Sequence, residues 1–443
     1  MLTNDPHAWL KAHPDLPSLR AAIVDLNGCL RGKRLPRDQA QKVLDGGLRM
    51  ALSLTTQDIW GRDIDDNPMV LDGDRDSLCR PTGRGLVPID WLPVPSAFLP
   101  LWFFTEDGAP APTDPRQALA RVVARWAEKG LTPVVATELE FYLVDAENPR
   151  PAAPVSPVTG QRLAADAVLS IDDLDHFEAF LEDVVSACEA SDIPVDTATA
   201  EGGPGQFEIN LRHVAAPLRA AADAVFFKRI VRGKARQHGL AASFMAKPFL
   251  ESSGSGFHVH FSVLDTAGRN IFDDGTSSGA PALAHAVGGL MAASRDLTLL
   301  FAPHLNSYRR LAAGVPAPST LTWDYENRFA AIRIPGRDTR SRRIEHRLAG
   351  ADANPYLVVA AILAAALHGI EEKIDPIPAG AAAQDPLPAS WGRAIDVFEA
   401  SPWPKAFFPD ELATVFAAIK RHEWSTFGAR MSEFELQSYL EMV

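Results

Sequence analysis

Cysteine is scarce in this chain. The three that occur, Cys29, Cys79 and Cys188, are odd in number and without paired spacing, which excludes a disulfide framework and suits a reducing compartment. No Gly-x-x-x-x-Gly-Lys-Ser/Thr loop is present, so any nucleotide site is not of the P-loop kind. Long apolar runs are also missing: the greasiest stretch, 356–367, is about a dozen residues against the ~20 that a membrane span requires. Positive charge is outnumbered, with 43 Lys and Arg against 56 Asp and Glu; a net charge of −13 without an evident basic stripe argues against a nucleic-acid partner. The first residues, with His7, Lys11 and His13 among prolines, show no apolar signal core, and no short internal repeat is visible. A cytoplasmic globular protein is the expectation that remains.

A length of 443 residues implies two domains. Strand-like alternation at 21–26 and after Cys29, joined by Asn27-Gly28, predicts a hairpin with a type I′ turn, followed by a helix over 39–52. An irregular acidic loop carries Asp58, Asp63, Asp65 and Asp66 around Trp60. Strands near 86–88 and 98–104 close a small N-terminal domain, 1–105. Thr113-Asp114-Pro115 then caps a helix running to Gly130. Further helices are expected at 175–191, 215–238, 281–303 and 354–372, with a surface linker at 377–390. The intervening strands alternate rather than run as continuous Val/Ile, which predicts an α+β domain, 106–443, with an antiparallel sheet wet on one face.

Four of those strands carry chemistry on the wet face. Ser253-Gly254-Ser255-Gly256 leads into alternation that puts Phe257, Val259 and Phe261 on one side and His258, His260 and Ser262 on the other. Glu138 and Glu140 share a face at period two, where they repel and call for a cation or a raised pKa. Glu201-Gly202-Gly203-Pro204-Gly205 turns the chain so that Glu208 returns near Glu201. Arg343, Glu345 and Arg347 alternate with Ile344, His346 and Leu348, and Arg310, Arg328 and Arg333 lie upstream. Five carboxylates and an imidazole suit hard divalent ions such as Mg²⁺ or Mn²⁺; the arginines suit phosphate and a carboxylate substrate. Satisfied strand histidines and an ordinary turn are the plainer readings of single segments.

Taken in order, these segments resemble the glutamine synthetase superfamily: Glu138-Leu139-Glu140-Phe141, Glu201 to Glu208, Gly254 to His260, Asn306-Ser307-Tyr308-Arg309-Arg310-Leu311, Asn327-Arg328 to Pro335, and Arg343 to Arg347 with Asn354-Pro355-Tyr356. The resemblance covers nearly the whole chain. It implies a β-grasp-like N-terminal domain and a glutamine-synthetase-type catalytic domain whose antiparallel sheet lines the site. It further implies ATP and two or more Mg²⁺ (or Mn²⁺) ions, one held by Glu140, Glu201 and Glu208, the other by Glu138, His258 and Glu345. By the same resemblance His260, Ser262 and Arg343 contact the nucleotide, Gly254 and Arg310 cradle glutamate, and Arg328, Arg333 and Arg347 act on the transferring phosphoryl group.

Two departures shape the expected activity. Glutamine-forming members carry a guarding glutamate after the Arg310 motif, where this chain has Pro316, and an aspartate where it has Leu52-Ser53-Leu54-Thr55-Thr56. Ammonium needs anions to hold it and a base to deprotonate it, so an amine larger than ammonium is expected. Segment 344–356 is especially similar to the γ-glutamylputrescine and γ-glutamylpolyamine synthetase branch, which works in polyamine catabolism. The expectation is an ATP-dependent ligase joining the γ-carboxylate of L-glutamate to putrescine, another polyamine or a monoamine through a γ-glutamyl phosphate. Glutamine synthesis from ammonium and a catalytically silent scaffold or sensor are the alternatives. Asp58, Asp63 or Asp65, with Trp60 and Trp323, are candidates for holding the amine. The family's architecture further implies a homododecamer of two stacked hexameric rings with sites shared between subunits. The adenylylation segment of bacterial relatives has no counterpart in 377–390, so that regulation is not expected.

Overall fold

The computed structural model describes residues 5–65, 67–71, 73–148, 150–312, 317–336 and 341–443. Two sheets organise them. The first contains β1 (Ser18–Val24), β2 (Leu30–Pro36), β3 (Leu48–Ala51), β4 (Asp76–Pro81), β5 (Val87–Ile89) and β6 (Ser96–Phe104). Their order is β2-β1-β6-β4-β3, with β5 on β6, and β1 runs parallel to β6. Leu19, Ala21 and Ile23 alternate into a core with Leu99, Leu101 and Phe103, as period-two strands facing one apolar layer must. The turn between β1 and β2 corrects the expectation. Gly28 N–H bonds to the Asp25 carbonyl and Gly28 alone sits at positive φ, +78°, so this is a type I turn closed by a left-handed glycine, not a type I′ pair. The expected helix over 39–52 is a short helix, Ala40–Leu44, followed by β3, because Gly46-Gly47 interrupts it and β4 takes up the next residues as a strand partner.

The second sheet contains β7 (Thr132–Asp145), β8 (Val195–Ala200), β9 (Gln206–Val214), β10 (Leu240–Ser243), β11 (Phe257–Leu264), β12 (Trp323–Tyr325), β13 (Ile332–Ile334) and β14 (Ile344–His346). The order is β12-β13-β14-β11-β7-β9-β8, with β10 on β7; all pairs are antiparallel except β12 with β13. The architecture is α+β, as expected. Val135, Leu139, Phe141, Phe257, Val259 and Phe261 are buried on the back of the sheet beneath helices, so the front is left to polar groups. Asp114 caps the helix Pro115–Glu128 as the sequence predicts, accepting from the backbone of Arg116 and Gln117. The helix expected at 281–303 breaks into Pro281–Ala293 and Thr298–Phe301, and that at 175–191 into Ile171–His176 and Glu178–Ala190.

The apolar run at 356–367 lies in a helix of 18 residues, Pro355–Glu372, as the sequence predicts. By length and composition this helix could cross a bilayer, but 78% of it is buried inside the protein, where it packs against Pro281–Ala293. Glycine makes that contact close: a Cβ at Gly289 would lie 2.2 Å from the Ala365 carbonyl oxygen, and one at Gly369 2.2 Å from that of His285. Gly289→Ala is therefore expected to lower unfolding free energy by about 2–3 kcal/mol through overpacking. Urea denaturation measures this, and an unchanged midpoint would show that the helices separate freely.

Candidate active site

Register brings the carboxylates together. On the front of the second sheet, Glu138 on β7 lies opposite His258 on β11 and Asn210 on β9, and Glu140 lies opposite Glu208. His260 lies opposite Glu345 on β14, and Glu345 opposite Arg333 on β13. Cross-strand partners project on the same side of a sheet, so five strands deliver seven ionisable groups to one spot. His258 is the hub. Its Nδ1 is 3.1 Å from Glu138 Oε2 and 3.9 Å from Glu345 Oε1, and its Nε2 is 3.8 Å from Glu140 Oε1. Glu208 Oε2 lies 4.0 Å from the same Nδ1.

These groups form two overlapping sets whose donor atoms all lie within 4.8 Å of one another: Glu138, His258 and Glu345, and Glu140, Glu208 and His258. The first is the trio expected from the sequence. In the second, His258 stands where Glu201 was expected; Glu201 lies just beyond, near enough to Glu140 and Glu138 to feel their charge. Burial, then repulsion from Glu140 and Glu138, pushes Glu201 up to about 7. Burial with Glu138, Glu140 and Glu201 pushes Glu208 up to about 9. Against burial, hydrogen bonds and charge from His258 and His260 hold Glu138 well below the usual carboxylate range, and His260, Arg347 and His258 hold Glu345 down. Clustered buried carboxylates that repel until they keep protons fit a divalent cation, and the oxygen-rich donor set fits a hard ion.

Arginines close the site on one side. Arg333 Nη1 donates to Glu345 Oε2 at 2.8 Å and Arg347 donates to Glu345 Oε1, so this carboxylate is shared between the ion side and the arginine side. Arg328 is exposed at the rim, where its charge reaches Glu201. Arg343 Nε approaches His260 Nδ1 at 3.3 Å. Next to Glu138 and His260 opens a cavity of about 440 Å³, lined also by Ser262, Arg343, Asn210 and Arg212. At the opposite end Glu140 Oε2 accepts from Gly256 N–H at 2.7 Å, and a Cβ at Gly256 would lie 2.7 Å from His258 Nε2. Gly254 packs on the Arg310 stem, whose buried guanidinium donates to the carbonyls of Leu348 and Arg347 at 2.9 and 3.2 Å.

Several expected features differ. Asp58 is buried: its Oδ1 accepts from the backbone of Trp60 and Arg62 and shapes its own loop, while its Oδ2 has no hydrogen-bond partner and lies 3.7 Å from His422 Nε2. Trp323 is buried, with Nε1 donating to the Ile377 carbonyl, because β12 seats it under 377–380 rather than in the site. Asp66 and Pro316 lie outside the described residues. The sequence reading also missed Gln206, Asn210 and Arg212, which share the β9 face of Glu208 at period two. Gln206 Nε2 donates to the Gly254 carbonyl at 3.0 Å and so ties the glycine turn to the loop before β11.

The family description "glutamine synthetase, catalytic domain" matches residues 112–439. The chain belongs to the glutamine synthetase family. It is 35% identical to gamma-glutamylputrescine synthetase PuuA of Escherichia coli K12, over 99% of this chain and 95% of the relative. Gamma-glutamylethanolamide synthetase GlnA4 of Streptomyces coelicolor is 32% identical over 98% and 94%. A solved structure, a GmaS/ADP complex, superposes with a TM-score of 0.85 at 29% identity, covering 99% of this chain and all of the other. As a member of the glutamine synthetase family, the chain is an ATP-dependent ligase that forms a carbon–nitrogen bond, and such ligases use divalent metal ions. The two sets of donors around His258 are where this member has groups suited to them.

Proposed function

We propose that the protein joins the γ-carboxylate of L-glutamate to a small organic amine, putrescine or another polyamine or monoamine, rather than to ammonium. The observation that carries this reading is the segment Leu52–Thr55, a half-buried turn of 3₁₀ helix that carries no acid where ammonium-using members have an aspartate. A desolvated ammonium ion has no carboxylate to hold it there, whereas an amine brings apolar carbon to bind. Similarity over nearly full length to two γ-glutamyl-amine synthetases supports the same choice.

In this reading the γ-carboxylate of glutamate attacks the γ-phosphorus of ATP, ADP leaves, and the amine displaces phosphate from the γ-glutamyl phosphate. Glu140, Glu201 and Glu208 hold one divalent ion and Glu138, His258 and Glu345 the other. Bound ions would neutralise the phosphate oxygens that otherwise repel the attacking carboxylate. His260, Ser262 and Arg343 border the nucleotide, and Gly254 and Arg310 set the glutamate. Arg328, Arg333 and Arg347 present guanidinium groups to the phosphoryl group as its charge spreads. We assign 1–105 to an N-terminal domain and 106–443 to the catalytic domain, in a cytoplasmic assembly of stacked rings.

Phosphate release from ATP and glutamate, measured with ammonium, putrescine, longer polyamines, ethanolamine and monoamines, tests the proposal. At least one organic amine is expected to exceed ammonium by about tenfold or more in kcat/KM. Ammonium as the best acceptor would identify a glutamine synthetase, and no release with any acceptor would favour a silent scaffold.

A further inference from the structure

A second and larger cavity, about 730 Å³, opens between the first sheet and the catalytic half, away from the groups described above. One wall is the turn at 27–30 with Ile59 and Trp91; the other is the helix Pro217–Gln237. Along that helix Lys228, Arg232 and Arg236 recur every four residues and so form a stripe on one face, which Arg229 widens. Along the chain the stripe is masked, because Ile230, Val231, Gly233 and Ala235 interrupt the cations.

The chain offsets the stripe only in part. Asp352 is the one carboxylate among the described residues of the cavity wall; its Oδ2 accepts from the Ser307 hydroxyl at 2.6 Å, and its single charge stands against four cations. Among the described residues, none of the four cations forms an ion pair. Lys228 Nζ donates to the Ala353 carbonyl at 3.0 Å, Arg229 Nε is buried without a hydrogen-bond partner, and the Arg232 guanidinium lies 5.1 Å from the Phe244 ring. Burial, then Arg232, pushes Lys228 down to about 7, which the nearby Asp352 opposes without reversing. A chain of net charge −13 thus concentrates four positive groups on one concave surface.

We propose that this cavity binds a small polyanion, a metabolite bearing phosphate or two or more carboxylates. Its volume is that of a metabolite site, and guanidinium forks match both phosphate and carboxylate oxygens. The occupant bridges the 27–30 turn to the helix. It also lies beside Asp352 and Ser307, three residues from Arg310, so binding there can be felt at the glutamate cradle.

Calorimetric titration of inorganic phosphate and of malate into the full-length protein, with Mg-ADP saturating the nucleotide side, tests this. At least one probe is expected to bind saturably, and the double variant Arg232→Gln/Arg236→Gln to weaken it by about tenfold or more. Both substituted side chains are exposed to the cavity, so the fold and the turnover without added anion are expected to be unchanged. A preference for phosphate or for malate names the anion class. The same affinity in wild type and variant, no binding of either probe, or an equal heat from sodium chloride at matched ionic strength would overturn the proposal.

Discussion

Glu345→Gln is expected to reduce turnover by roughly 10³-fold while the protein stays folded. Its side chain is 1% exposed, accepts from Arg333 and Arg347, and lies 3.9 Å from His258 and from His260. Glutamine keeps the volume and one acceptor oxygen, so the pocket does not collapse. It removes the negative charge that holds two guanidinium groups in place and contributes to one ion set. Both the ion and the arginines are then misplaced, and these effects fall on one step, so the loss is larger than for a rim residue such as Arg328. Phosphate-release kinetics with circular dichroism and a melting curve separate the outcomes. Turnover near that of the wild type would remove Glu345 from the machinery, whereas an unfolded variant would make its role structural.

Stripping divalent ions is expected to invert the usual pH dependence of stability. Glu201 and Glu208, with ordinary values of 4.5, are pushed up to about 7 and about 9 in the folded chain. Between about pH 4.5 and 9 the folded state therefore holds protons that the unfolded chain has released, so stability falls as pH rises through that window. Glu138 and Glu345 are shifted the other way, and their contribution is lost only as pH drops below 4.5. Mg²⁺ or Mn²⁺ replaces the protons and restores stability most at the alkaline end, with a melting temperature about 10 °C above that of the stripped protein. Calorimetry across the window checks this. A stripped protein whose melting temperature is flat or rises from about pH 5 to about pH 8 would show that the carboxylates lack the mutual repulsion on which the ion sites depend.

Much of the catalytic face was legible because a strand has a period of two. Glu138 and Glu140, His258 and His260, and the apolar residues between them announce which side meets the core and which meets a ligand, whatever the rest of the chain does. The Asp114 cap was readable for a similar reason: its partners are two and three residues away. Boundaries failed where the deciding partner was remote, as when β4 drew 48–51 out of a helix and β12 buried Trp323.

By itself, then, the sequence determined the kinds of groups in the site, their faces, and through its motifs the family. Tertiary structure decided their distances: that His258 stands within reach of both carboxylate sets, that Glu345 is shared with two arginines, and that Asp58 turns one oxygen into its own loop. It also decided that Lys228, Arg232 and Arg236 face a cavity instead of open solvent. The physical reason is that periodicity fixes direction along one element, whereas Coulomb energy and desolvation depend on separations between elements, which only the packed chain sets.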